Sequence, residues 1–208
     1  MGLISEEDKK VLGKLLSSSL ENDVKIVAYL EDGRDASSTA KSLLNELSEL
    51  DDRIKVVFKD IEEYVGVLPD EETTGEPIII FEDKPNLIYL GVPAGYEFST
   101  FLEDIIFVST NKFEVPVSFA KKVAKSKLKE AIVFYTPMCP FCPKMSSTVR
   151  KVSYIRNDVN TFLVNALDFP RLAEKYKVSA VPKTVLVFDG ESKEIEGAIP
   201  LESLADYL

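Results

Sequence analysis

The chain is written twice. Lys25-Ile26-Val27-Ala28-Tyr29-Leu30 is echoed by Ala131-Ile132-Val133-Phe134-Tyr135. Glu76-Pro77-Ile78-Ile79-Ile80-Phe81 is echoed by Val181-Pro182-Lys183-Thr184-Val185-Leu186-Val187-Phe188, and Gly91-Val92-Pro93 by Gly197-Ala198-Ile199-Pro200. The offsets all lie close to 105 residues. A duplication of that period confines 208 residues to two units of similar layout, which the length alone also allows. Each copy opens with an amphipathic helical segment, near Glu6–Leu20 and Val117–Leu128. Each then reads helix, strand, helix, strand, helix, proline-led strand, return strand, helix. The second strands fall at Ile54–Lys59 and Thr161–Asn165, and a later helix at roughly Phe169–Tyr176. Strands alternating with helices predict an α/β class. The break near Ser109-Thr110-Asn111-Lys112-Phe113-Glu114 predicts units of 1–112 and 113–208.

Composition narrows the function classes. With 45% hydrophobic and 29% charged residues the chain reads as globular. Its longest apolar runs, such as Ala131–Tyr135, are far short of the roughly 18 residues of a membrane helix. Met1-Gly2-Leu3-Ile4-Ser5-Glu6-Glu7-Asp8 lacks the basic start and apolar stretch of a signal peptide, so a cytoplasmic protein is expected. A net charge of -10 argues against nucleic acid or an anionic membrane as the main partner. There is no histidine, which excludes Ser–His–Asp and Cys–His catalysis and His-ligated metals. The absence of Gln is consistent with a heat-adapted source. Charged groups at Asp51-Asp52-Arg53 and Glu62-Glu63 read as ordinary solvated surface.

Both cysteines fall in one motif, Cys139-Pro140-Phe141-Cys142. The β-rich run Ala131–Tyr135 precedes it, Thr136-Pro137-Met138 breaks that run, and Met145, Val149 and Val152 follow at helical spacing. The motif therefore sits at a strand-to-helix turn, with Cys139 at or near the helix start and Cys142 one turn further in. Unpaired N–H groups and the positive end of the helix dipole stabilise a thiolate there. The thiolate is the attacking species in disulfide exchange. Cys139 is thus the expected attacking sulfur and Cys142 the resolving one. Pro140 has no N–H to offer either sulfur, and Phe141 adds apolar surface beside them. Two cysteines without histidine fall short of the four ligands of a closed zinc site, although a metal or cluster shared by two molecules stays open. No cofactor or metal is expected of the chain itself. Ser179-Ala180-Val181-Pro182-Lys183 leads into the β-branched run Thr184–Phe188, Asp189-Gly190 signals a hairpin turn, and Lys193–Gly197 reads as its return strand.

The whole chain resembles the archaeal and thermophile protein disulfide oxidoreductases, glutaredoxin-like proteins with two tandem thioredoxin folds. The resemblance is carried by Met1-Gly2-Leu3-Ile4-Ser5 with Asp8-Lys9-Lys10, by Glu46-Leu47-Ser48-Glu49-Leu50, and by Gly91-Val92-Pro93-Ala94-Gly95-Tyr96-Glu97-Phe98. In the second copy it is carried by Thr136–Pro143 and Ala180-Val181-Pro182-Lys183. It implies two thioredoxin-like units, each a mixed central sheet with helices on both faces. It also implies a cis bond at Val181-Pro182, facing the Cys-x-x-Cys. The implied activity is thiol–disulfide exchange on disulfide-containing protein substrates, with a thioredoxin reductase-like flavoenzyme as electron donor, inside cells whose proteins can be disulfide-rich.

The chain departs from the pattern in two places. Many such proteins carry a Cys-x-x-Cys in each unit, whereas here Asp35 and Ser38 stand where the first would best fit. The first unit is therefore expected not to be a redox catalyst and instead to hold substrate or a partner subunit. Thioredoxin also has a buried Asp six residues before its first Cys, and here that position is Val133, which leaves proton transfer at Cys142 to water or to another carboxylate such as Glu130. Two other functions remain open: a non-catalytic client-binding module, and a glutaredoxin-like iron–sulfur carrier with Cys139 as ligand.

Overall fold

The computed structural model describes residues 2–208, and Met1 of the opening motif lies outside them. The first copy runs α1 (Glu6–Ser19), β1 (Val24–Leu30), α2 (Asp35–Ser48), β2 (Ile54–Asp60), β3 (Ile78–Phe81), β4 (Lys84–Leu90) and α3 (Phe98–Thr110). The second runs α4 (Val117–Lys125), β5 (Glu130–Tyr135), α5 (Cys142–Val149), α6 (Lys151–Ile155), β6 (Asn160–Asn165), α7 (Pro170–Lys175), β7 (Lys183–Val187), β8 (Ser192–Glu196) and α8 (Leu201–Leu204). Each copy is a thioredoxin-like unit with a mixed four-stranded sheet: β1 and β5 pair parallel to β2 and β6, and antiparallel to β3 and β7.

The two sheets are one sheet. β4 pairs in parallel with β6, from Leu87 opposite Thr161 to Leu90 opposite Val164. The strand order is β2-β1-β3-β4-β6-β5-β7-β8. Alternation along the central strands fills two cores. Val133 and Tyr135 point to the face covered by α1 to α6 and α8, whereas Ile132 and Phe134 point to the other. That second core joins Ile78, Ile88 and Leu90 of the first unit to Phe162, Val164 and Phe169 of the second.

Two local expectations are corrected. Among the described residues no α-helix lies between β2 and the proline-led β3; β2 ends in a 3-10 turn, Ile61–Glu63, and an irregular segment leads to β3. Ile61, Tyr64 and Leu68 pack against the second core from this stretch. Gly66, Pro69 and Gly75 interrupt it, which leaves too short a run for helix nucleation. Arg53 is also more than solvated surface. Held by Asp51, it donates from Nη1 to the Leu20 carbonyl at 2.5 Å and from Nη2 to the Ser17 carbonyl at 3.2 Å. It thereby satisfies carbonyls that the C-terminal end of α1 would leave unpaired.

The motif Gly91–Phe98 is the seam between the units. Gly91 has φ +104°, and a Cβ there would lie 2.6 Å from Asn165 Cβ. Asp168 Oδ2 accepts the Val92 N–H at 2.8 Å, and the Tyr135 hydroxyl donates to the Val92 carbonyl at 3.1 Å. Gly95 has φ +62°, and a Cβ there would stand 2.1 Å from the Pro137 carbonyl oxygen, which accepts the Tyr96 N–H at 2.9 Å. Only glycine allows both the conformation and the approach.

Nearly two helical turns on, Asp104 of α3 is wholly buried against Arg150, the residue between α5 and α6. Arg150 Nη1 donates to Asp104 Oδ1 and, at 2.9 Å, to the Thr100 carbonyl, while Nη2 meets Glu103. The Tyr89 hydroxyl donates to Asp104 Oδ2 at 2.5 Å, and the Tyr154 hydroxyl donates to Oδ1. Burial alone would lower the Arg150 pKa, but Asp104, Tyr154, Tyr89 and Glu103 outweigh it and hold the guanidinium above its ordinary value. Removing one partner leaves the other charge buried without compensation. Asp104→Ala is expected to cost about 3–5 kcal/mol, read as a lowered denaturant midpoint in equilibrium unfolding; a loss below about 1 kcal/mol would show that the seam does not depend on this pair.

Candidate active site

The end of β5, the turn after it and the start of α5 build the site. Tyr135 closes the strand, and the Cys139 N–H donates back to the Thr136 carbonyl at 3.1 Å. Cys139 and Cys142 are joined by a disulfide, with Cα atoms 5.5 Å apart. The Cys142 N–H donates to Cys139 Sγ at 3.1 Å, so a helix-start amide points at the outer sulfur. Pro143 occupies the first turn of α5, where its missing N–H costs no hydrogen bond. The helix starts at Cys142 rather than at Cys139, which stands three residues before it, so Cys142 is the first helical residue and not one turn in. Cys139 retains 6% of its exposure and Cys142 none. Pro140 is exposed, and Phe141 (69%) and Met138 (80%) stand out into solvent beside the disulfide.

Val181 and Pro182 lie opposite. Their peptide bond is cis, and the Val181 carbonyl oxygen is 3.8 Å from Cys139 Sγ. The structure thus brings together all the residues expected from sequence: Cys139, Pro140, Phe141, Cys142, Val181 and Pro182.

The first unit keeps the frame without the sulfurs. Glu76-Pro77 is also cis. The cis prolines and the strand pairing keep the 105-residue offset, with Tyr29 opposite Ile78 as Phe134 is opposite Lys183, so Arg34 and Ser37 stand in the places of Cys139 and Cys142, one residue before the expected Asp35 and Ser38. Glu76 is buried there, accepts from the Ser37 hydroxyl and lies 3.4 Å from Arg34 Nε.

Glu130 does not lie near the disulfide: it opens β5, at the far end of the strand from Cys139. The buried acid on the site's side of the sheet is Glu97, in the short 3-10 turn Gly95–Glu97 of the first unit. Its side chain has no exposure, and neither carboxyl oxygen has a hydrogen-bond partner. Burial pushes its pKa up to about 7, although the neighbouring Ser146 and Thr100 hydroxyls and Arg150 pull the other way. Ser146 follows Cys142 by one helical turn on the same face of α5. Sequence reasoning misses Glu97 because a single acid between Tyr96 and Phe98 looks like surface in one dimension. The available signal is its place inside the apolar Gly91–Phe98 motif rather than on a polar face.

Residues 110–208 match the Thioredoxin family model. Over its whole length the chain is similar to the alkylhydroperoxide reductase component AhpF of Enterococcus faecalis, with 22% identity, 99% of each chain covered and a TM-score of 0.80. It is also similar to a protein disulfide oxidoreductase from Aeropyrum pernix, with 20% identity over 98% of this chain and 91% of that one, at a TM-score of 0.80. For Sso1120 of Sulfolobus solfataricus the identity is 20% and the TM-score 0.65, over 88% of this chain and 96% of that one. The fold is therefore that of two tandem thioredoxin-like units. The second carries a Cys-x-x-Cys disulfide, which makes the chain a thioredoxin-fold redox protein.

Glu97 generates a pH test. Its carboxyl binds a proton more tightly in the folded chain than at the ordinary value of 4.5, so it lowers stability as pH rises from there through about 7. The full effect above pH 7 is roughly 3 kcal/mol. Glu97→Gln is expected to be more stable than the parent at pH 8.5 and to gain little at pH 4.5, by urea unfolding at both. An equal difference at the two pH values would place the carboxyl's pKa near its ordinary value.

Proposed function

We propose that the chain is a protein thiol–disulfide oxidoreductase of the cytoplasm, with 113–208 as its redox unit and 1–112 as a unit without redox cysteines. Cys139 is the attacking sulfur and Cys142 the resolving one. The observation that carries this reading is the asymmetry of the pair: Cys139 keeps exposure and receives a helix-start N–H, while Cys142 is sealed beneath it. The name of the Aeropyrum pernix protein, a protein disulfide oxidoreductase, supports it.

Reduction of a client then runs in two exchanges. The Cys139 thiolate attacks the client disulfide; a Cys139–client bond forms, the client S–S bond breaks, and the departing client sulfur takes a proton. The Cys142 thiol gives up its proton and attacks Cys139 Sγ; the Cys139–Cys142 bond forms and the second client sulfur leaves. Two electrons pass from the dithiol to the client disulfide. Reversed, the same steps oxidise a client dithiol. Sustained reduction needs a two-electron donor, for which a thioredoxin reductase-like flavoenzyme is the proposed partner. The acceptor we assign to the Cys142 proton is Glu97, buried on the side of the sheet that α5 covers, in place of the acid missing at Val133. Val181 and Pro182 wall the site where a client's backbone approaches.

Equilibration in thiol–disulfide buffers of graded potential, followed by alkylation and intact mass, tests the reading. A reversible two-thiol transition is expected between about -270 and -120 mV. Thiols that never pair would sink the enzyme and leave a client-binding module. Cys142→Ser is expected to trap a Cys139–client mixed disulfide, and Cys139→Ser to lose turnover altogether. For turnover of the unaltered protein, the rate of the resolving step should rise as pH passes through about 7, where Glu97 becomes a base. Glu97→Gln should flatten that limb; an unchanged profile would remove Glu97 from the proton path.

A further inference from the structure

The turn that carries Cys139 is held from the other unit. Thr136 to Cys139 form a β-turn with Pro137 at its second position, closed by the Cys139 N–H donating to the Thr136 carbonyl at 3.1 Å. The Pro137 carbonyl inside that turn accepts the Tyr96 N–H of the first unit at 2.9 Å. Gly95 makes the approach possible, since its φ is +62° and a Cβ there would stand 2.1 Å from the same oxygen. The donor is firmly seated. The Ser99 hydroxyl donates to the Tyr96 carbonyl at 3.0 Å, the next residue, Glu97, is wholly buried, and Val92 is tied by hydrogen bonds to Asp168 and Tyr135 of the second unit. The equivalent turn of the first unit has no such clamp. Glu31 to Arg34 close on themselves, with the Arg34 N–H donating to the Glu31 carbonyl at 3.4 Å, and no backbone N–H from elsewhere in the described residues donates to the Asp32 carbonyl.

We propose that Gly95 and Tyr96 are positioning residues for the Cys139–Cys142 couple: the backbone clamp they place on Pro137 holds Cys139 against the start of α5 and makes the disulfide easier to reduce. The proposal rests on the disulfide-exchange reading and gives the unit without cysteines a part in the potential of the couple. Reduction opens the S–S bond. Two electrons and one proton enter from a dithiol, whose other proton goes to solvent, and a Cys142 thiol and a Cys139 thiolate remain. The hydrogen bond from the Cys142 N–H to Cys139 Sγ, 3.1 Å in the disulfide, then becomes charge-assisted and about twice as strong. In the disulfide the covalent bond keeps Cys139 in place with or without the clamp. In the dithiol that tie is gone, and the turn alone aims the thiolate at the amide. Closeness of the two sulfurs plays no part in the difference, because a separation of 3 residues along the chain supplies it in both states. The clamp therefore counts for more in the reduced chain, and a contact that favours one state shifts the equilibrium toward it.

Equilibration of the full chain in glutathione or dithiothreitol buffers, with alkylation and intact mass, reads the potential. Tyr96→Ala keeps the N–H and loses the ring, whereas Tyr96→Pro loses both, so the difference between them reports the N–H alone. Tyr96→Pro is expected to favour the disulfide about tenfold more than Tyr96→Ala does, a potential about 30 mV lower, and to move the pH midpoint of Cys139 alkylation upward. Gly95→Ala, which pushes the turn away, is expected to shift in the same direction. Gly91→Ala loosens the same seam at Asn165 and controls for stability: its denaturant midpoint should fall and its potential should stay. Equal potentials in the two Tyr96 variants, or a shift in Gly91→Ala as large as in Gly95→Ala, overturns the inference. One measurement needs no variant. Coupling is reciprocal, so the Tyr96 amide is expected to exchange its hydrogen about tenfold more slowly in the reduced chain than in the oxidised one. Equal or faster exchange on reduction overturns the inference even where a variant fails to fold. An unaltered chain with no reversible thiol transition brings down the oxidoreductase reading itself, and this inference with it.

Discussion

A guanidinium with almost no exposure holds this molecule in its shape. Arg150 sits where α5 turns into α6, and it can be there only because the first unit brings it the Thr100 carbonyl and Asp104, a carboxylate that itself accepts from the Tyr89 and Tyr154 hydroxyls. Isolated, each of these charges would be too costly to bury. Together they set the distance between α3 and α5. That distance brings the turn bearing Glu97 against the helix that starts at Cys142, and places Tyr96 on the loop before Cys139. The disulfide site is thus assembled from both copies of the repeat, although both sulfurs belong to one.

The two copies have divided the work. The second retains the chemistry, a pair of cysteines at a helix start beside Val181-Pro182. The first retains the frame of such a site but fills it with Glu76, Ser37 and Arg34, which satisfy one another. A site whose polar groups are mutually paired has nothing left to react with. What the first copy adds to the second is a buried acid and a backbone hydrogen bond to the turn before Cys139.

Much of this is legible in one dimension, because the signals are local. Short apolar runs mark the central strands of the sheet, and the Cys-x-x-Cys between a strand and a helix marks the site. The offset of 105 residues exposes the duplication before any fold is considered. What cannot be read depends on distances across the chain. Val133 tells where an acid is missing, but Glu97 comes from 36 residues earlier and reaches the site only when the units dock. Asp51-Asp52-Arg53 looks like surface because the carbonyls that Arg53 satisfies belong to α1. The missing helix before β3 is masked by the repeat itself, since the match in the neighbouring strands implies a match in between. Glu103, Asp104 and Arg150 carry no pattern at all: a buried ion pair has the same letters as an exposed one.

The pairing of β4 with β6 has a consequence for how such a chain survives in a crowded solution. Split apart, each unit would show an open strand, and those two strands are apolar: Leu87 to Leu90 on one side, Thr161 to Val164 on the other. Strand edges of that composition recruit their like. Sealed together they vanish, and the rims left to the finished sheet are β2, with Lys55, Lys59 and Asp60, and β8, with Lys193, Glu194 and Glu196. Charged rims do not zip onto neighbours. The duplication has thus turned two halves with adhesive edges into one sheet whose outer rims are charged.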